Sequence, residues 1–322
     1  MKHPYLLGLM GIVLLWEARG VAQEPKPQKA APVVVPSTST LPVTLPCSFW
    51  RGIPAIEAHI QGEQGEEFFV LATGFNGFAI HPDAVVKHHL ITKPEKTRVA
   101  LLDRSIEAET TTLKSLHFGA THLDNVTANI TDVNRLISHN ITPNQQAPTG
   151  WIGTPILSKY QVTVDSANRT VTLEDPKSPL PKSSETYILP FTLKEGRILL
   201  KVEVEGAKPF TAVLDTGTVG ILIPTSVGAT LRTTDQKLIS IRAASGKRGQ
   251  VIQNRVPKLQ VGEVELRSVG VIYISPDAPP EFDRNMAVLG MNFLRYFKVT
   301  INYAKMRLAL TPITAAEQPK EP

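Results

Sequence analysis

Phe210-Thr211-Ala212-Val213-Leu214-Asp215-Thr216-Gly217-Thr218-Val219-Gly220-Ile221-Leu222-Ile223-Pro224 places one carboxylate between two apolar runs. Each run has the length and β-branched content of a buried strand, and the Asp-Thr-Gly between them is turn chemistry. Apolar surroundings penalise a charge. A carboxylate placed there needs hydrogen bonds, a partner or a reaction to perform.

An earlier stretch repeats the pattern. Leu71-Ala72-Thr73-Gly74-Phe75-Asn76-Gly77-Phe78-Ala79-Ile80 aligns with residues 214–223. The Leu, Thr, Gly, Gly and Ile positions coincide, and Ala72 stands opposite Asp215. Further on, Trp151-Ile152-Gly153-Thr154-Pro155-Ile156-Leu157 and the run 160–164 parallel Val288-Leu289-Gly290-Met291-Asn292-Phe293-Leu294 and the run 297–301. Each half then closes with a turn and a last strand, 170–173 and 307–310. Two markers in the same order at nearly equal spacing indicate an internal duplication. No sustained 3.6-residue periodicity appears, so the chain reads as all-β.

The second half carries three features in order. An apolar strand enters Asp215-Thr216-Gly217-Thr218. A polar tip, Ser245-Gly246-Lys247-Arg248-Gly249, marks a hairpin. Val288-Leu289-Gly290 is followed by a short turn and Val299-Thr300-Ile301-Asn302-Tyr303. Together they cover most of residues 187–312. Over that span the chain resembles the aspartic proteases, in particular the retropepsin-like group with short lobes. The resemblance implies an acid-protease fold of two retropepsin-like β-barrel lobes with pseudo-two-fold symmetry and few short helices. It implies a degenerate lobe at 48–176, a connector at 177–186, the lobe with Asp-Thr-Gly at 187–312 and a tail at 313–322. It implies that Asp215 is catalytic and that Thr216, Gly217 and Thr218 face Ala72, Thr73 and Gly74 as paired active-site loops. Ser245, Gly246 and Lys247 would be the substrate-binding flap.

In that family each lobe offers one Asp to a shared water. Two carboxylates about 3 Å apart share one proton, so one acts as base while the other donates to the scissile carbonyl. Here Ala72 removes one carboxylate, while Thr73, Gly74, Gly77 and Ile80 keep its loop. A lone carboxylate orients a water but cannot be base and acid in the same step. Three readings stand. One is an aspartic endopeptidase whose water is activated at Asp215, in an inter-lobe cleft or between the second lobes of a homodimer. Another is a catalytically inactive pseudoprotease that clamps an extended peptide or a partner protein. The third lets Asp83 or Asp103 substitute for the missing acid. No cofactor is implied.

The 322 residues, 42% apolar, suffice for two modest lobes. The net charge of +5 comes from scattered bases and is no nucleic-acid footprint. Cys47 is the single cysteine, which excludes an intramolecular disulfide and multi-cysteine metal sites. His88-His89, and His117 with His122, lack ligand spacing and read as solvated, so no metal is expected. Lys2 and His3, the apolar run 5–16 and Gly20-Val21-Ala22 form a signal peptide over residues 1–22. A Pro-rich linker follows at 23–47. The expected location is exported, periplasmic or secreted, and membrane-tethered if the leader is retained. No other apolar run is long enough to cross a bilayer.

Overall fold

Alternation decides the strands. In Arg197–Val204, Ile198, Leu200, Val202 and Val204 are buried while Lys201 and Glu203 face water. The computed structural model describes residues 40–61, 67–100, 105–132, 147–231, 236–242, 248–279 and 283–314. The leader, most of the linker, the Ser245-Gly246-Lys247 tip and residues 315–322 of the tail lie outside them.

The first lobe contains β1 (Val43–Trp50), β2 (Ile53–Ile60), β3 (Glu67–Leu71), β4 (Phe78–Ile80), α1 (Pro82–Lys87), β5 (Thr92–Ala100), β6 (Ser105–Phe118), β7 (Thr121–Ile130), β8 (Gly150–Ile152) and α2 (Thr154–Leu157). β9 (Gln161–Asp165), β10 (Thr170–Glu174) and β11 (Tyr187–Pro190) lead to the second lobe. That lobe contains β12 (Thr192–Lys194), β13 (Arg197–Val204), β14 (Phe210–Leu214), β15 (Ile221–Leu222), α3 (Thr225–Gly228), β16 (Lys237–Arg242), β17 (Arg248–Val261), β18 (Val264–Ile274), β19 (Val288–Leu289) and α4 (Met291–Leu294). β20 (Phe297–Asn302) and β21 (Arg307–Pro312) complete the chain.

Both lobes close the same way. The order β2-β3-β8-β4-β7-β6 returns to β2, and β13-β14-β19-β15-β18-β17 returns to β13. Each is a six-stranded barrel, which removes the exposed edges of an open sheet. β5 and β16 hang on β6 and β17 as outer strands of long hairpins. This is the all-β, two-lobed fold expected from the duplication.

A sheet of order β11-β21-β20-β9-β10-β1 joins the lobes. At its centre β9 and β20 pair antiparallel, with Thr163 opposite Thr300 and their hydroxyls 2.9 Å apart. These two residues occupy equivalent places in the repeat, so the pseudo-two-fold axis passes between them. Segment 175–186 crosses this sheet. The Gln161 amide donates to the Pro179 carbonyl (3.2 Å) and the Asn302 amide to the Pro176 carbonyl (2.8 Å). One detail departs from the sequence reading. Residues 43–47, read as the end of the linker, belong to β1, and Val43–Pro46 pair with β10. Pro46 sits in the last ladder position before the strand changes partner, where a missing N–H is tolerated.

Two turns reach across to the opposite lobe. The Arg51-Gly52 turn (φ +53° and +81°) lies against Val219, and the Glu195-Gly196 turn (φ +51° and +71°) lies against Asn76. Paired positive φ values are the geometry of a tight hairpin, and glycine supplies the second at no steric cost.

Candidate functional site

The two repeat markers meet where β8 threads between β3 and β4, and β19 between β14 and β15. Gly153 N–H donates to Gly77 O (3.0 Å), and Gly290 N–H to Gly220 O (3.1 Å). A Cβ on Gly153 would lie 2.1 Å from Phe75 O, and one on Gly290 would lie 2.3 Å from Thr218 O. The apolar-apolar-Gly signature is therefore a steric requirement. The loops 72–77 and 215–220 are held by backbone that only glycine lets approach.

Those loops face each other within this single chain. Thr73 Oγ1 donates to Leu214 O (2.9 Å) and accepts from Thr216 N–H (3.0 Å). Thr216 Oγ1 donates to Leu71 O (2.5 Å) and accepts from Thr73 N–H (3.2 Å). Four buried hydrogen bonds are made reciprocally, which makes the arrangement costly to open.

Asp215 lies directly above this grip and is 3% exposed. Its Oδ1 accepts from Gly217 N–H (2.8 Å) and from Gly74 N–H (2.9 Å), and its Oδ2 accepts from Thr218 Oγ1 (2.6 Å). Gly74 occupies in the first lobe the place Gly217 occupies in the second. Its amide is the donor that a carboxylate at position 72 would use, and here it serves Asp215 instead. Burial pushes the Asp215 carboxyl above its ordinary value. The Thr218 hydroxyl, the two glycine amides and the Arg197 charge pull the other way, and burial outweighs them.

Ala72 is at the mirrored position. A Cβ added to Gly217 would lie 2.9 Å from Ala72 Cβ, and one added to Gly74 would lie 2.6 Å from Asp215 Cγ. Ala72 is buried in an apolar cluster with Phe75, Val99, Ala108 and Trp151. Phe75 is the functional position that reading the sequence missed. It stands where Thr218 stands in the other loop, so the first lobe lacks the hydroxyl as well as the carboxylate. The Phe75 ring packs edge-on against Trp151 (centroids 5.8 Å apart) and folds over Gly77, where a Cβ would lie 2.6 Å from it. The same alignment that exposed Ala72 shows Phe75 three places later.

Other candidates lie elsewhere. Asp83 is on α1 with its side chain 92% exposed, 3.5 Å from His81 Nδ1, and it is not brought to Asp215. Asp103 and the flap residues Ser245, Gly246 and Lys247 lie outside the described residues, although the strands β16 and β17 that would carry that flap are present. His88 is not solvated as its sequence context suggested. It is 3% exposed, and its Nε2 lies 2.7 Å from Glu67 Oε1. Lys87 and Thr149 also reach Glu67 at 2.5 Å each and hold its carboxyl below the usual range against the opposing effect of burial. Cys47 is buried, and that burial pushes its thiol up to about 12, so it is an inert core residue.

Residues 200–296 match the family of gag-polyprotein putative aspartyl proteases. A search of curated proteins finds no match. Among solved structures, an aspartic proteinase from Irpex lacteus superposes with a TM-score of 0.51 at 11% identity, covering 86% of this chain and all (100%) of that one. The Basic 7S globulin from soybean superposes with a TM-score of 0.50 at 11% identity, covering 84% and 94%. The likeness to both is one of fold. The family match is confined to the second lobe, and the two-lobed fold is that of aspartic proteinases, with Ala72 in the first loop opposite Asp215 in the second. No helix among the described residues is long and apolar enough to cross a membrane.

Proposed function

We propose that this protein binds extended polypeptide segments between its lobes without hydrolysing them, as a pseudoprotease. One observation carries the reading: Ala72 and Phe75 stand where the other loop has its carboxylate and hydroxyl, while the four reciprocal threonine bonds still join the loops. Peptide capture by strand addition uses the lobes and hairpins and does not need the dyad.

The second reading is slow aspartic endopeptidase activity from Asp215 alone. It is favoured by the intact cradle of Gly217 and Thr218 around that carboxylate. Pairing of two second lobes in a homodimer is disfavoured, because the Asp215 loop already spends its threonine bonds on the first lobe. The leader-like sequence at 1–22 supports export to the periplasm or beyond the cell.

The test is direct. The full chain is incubated with an unfolded protein at pH 4–5 and, separately, titrated with labelled extended apolar peptides. Saturable binding without cleavage is expected. Cleavage that disappears in Asp215→Asn would replace this reading with the second one.

A further inference from the structure

The contrast between the loops extends to the strand that faces each one. Ile53 opens β2 directly after Gly52, and Arg197 opens β13 directly after Gly196. In β2–β3 Ala55 is opposite Val70, and the same register sets Ile53 opposite Ala72. In β13–β14 Leu199 is opposite Val213, which sets Arg197 opposite Asp215. Opposed residues on neighbouring strands have Cβ atoms about 4.5–5.5 Å apart, so each side chain bears on the residue it faces. Ile53 is buried in one apolar cluster with Ala72 and Phe75. Arg197 is half-buried, with its Nε inside. Its entry into β13 is fixed from the first lobe: Thr154 Oγ1 donates to Gly196 O (2.6 Å), and Asn76 lies against Gly196.

From this register we infer that Arg197 is a positioning residue of the Asp215 site, the cation that offsets the burial of that carboxyl. The two halves then differ as sets. Ile53, Ala72 and Phe75 form an apolar group, and Arg197, Asp215 and Thr218 form a polar one in the equivalent places. A guanidinium opposite Ala72 would be set against an apolar cluster, and an isoleucine opposite Asp215 would leave the carboxyl with its hydrogen bonds alone. The electrostatics agree with the placement. Burial pushes the Asp215 carboxyl up, and the Arg197 charge joins the Thr218 hydroxyl and the Gly74 and Gly217 amides in pulling it down. The other titratable group that acts with Asp215 is Tyr303, just past the end of β20. Burial and the Asp215 charge push its phenol up, so it brings no charge of its own. This role of Arg197 is the same whether the cleft only binds peptides or also hydrolyses them.

The test reads the Asp215 carboxyl directly, by NMR titration of the side-chain carboxyls in the full chain, with Asp215→Asn identifying the signal. Arg197→Ile copies the first lobe and should shift the Asp215 titration to higher pH. Arg197→Lys keeps the charge and should bring the titration back toward wild type, which a purely structural role would not do. In urea unfolding at neutral pH, the stability gained through Asp215→Asn should be larger in the Arg197→Ile background than in wild type. Circular dichroism establishes that each variant is folded, and Arg197→Gln replaces the isoleucine variant if that one is not. An Asp215 titration unmoved by loss of the Arg197 charge, or moved equally by Arg197→Lys, would overturn the role.

Discussion

Residues 72–77 and 215–220 follow matching paths and hold each other through matching threonine bonds, yet they differ in two side chains. The loop at 215 presents a carboxylate steadied by a hydroxyl. The loop at 72 presents a methyl group backed by a phenyl ring. Scaffold and chemistry are therefore separable in this fold. The side chain at position 72 makes none of the hydrogen bonds of the grip, the crossing glycines or the joining sheet, and Ala72 joins them only through its backbone. Asp215 also accepts the amide of Gly74 from the opposite loop.

The strongest way to break the contrast is to erase it. Ala72→Asp with Phe75→Thr restores both missing groups, and peptide hydrolysis near pH 4–5 should rise at least about 100-fold over wild type, the scale of a gained general acid or base. Ala72→Asp alone should give much less. Its carboxylate would lack the hydroxyl and compete with Asp215 for Gly74 N–H. A single substitution that matches the double one would show that Phe75 has no part in the difference.

Next in size is the shared scaffold. Gly290→Ala pushes a methyl to within 2.3 Å of a backbone carbonyl that cannot yield, and it should cost about 3 kcal/mol in urea unfolding. Gly153→Ala should cost a similar amount, since its clash is with the equivalent carbonyl. Unequal costs would mean that the two lobes are not equally rigid at this point.

Thr73→Val and Thr216→Val each strand a buried carbonyl and a buried amide, and each should cost about 2 kcal/mol. The two values should agree closely, because the bonds are reciprocal.

The smallest effect belongs to Asp215→Asn. A carboxyl with a folded pKa above its unfolded value binds its proton more tightly in the folded state. It therefore adds stability at low pH, and that contribution is lost as pH rises through the folded value. Asp215→Asn should be the more stable protein at neutral pH, and the gap should close toward pH 4. A gap that widens on acidification would mean that the hydrogen bonds, and not burial, dominate the carboxyl.

Much of this contrast was legible in the sequence because it is local. The strand-turn-strand patterns, the glycines and Ala72 opposite Asp215 follow from apolar periodicity and internal alignment. Phe75 was equally visible but carries no charge or turn signal, so nothing drew attention to it. His88 looked solvated because its partner Glu67 lies on β3, 21 residues earlier. Residues 43–47 looked like linker because Pro46 argues against a strand until the partner β10 is known.

The sequence by itself determined the duplication, the all-β class, and the placing of Asp215 in one loop opposite Ala72 in the other, since each is a property of neighbours along the chain. Only the tertiary structure decided that the two loops close on each other in one polypeptide and that Gly74 serves Asp215. Those facts depend on strand order and register across long sequence separations, and barrel closure sets them, not any residue's own preference.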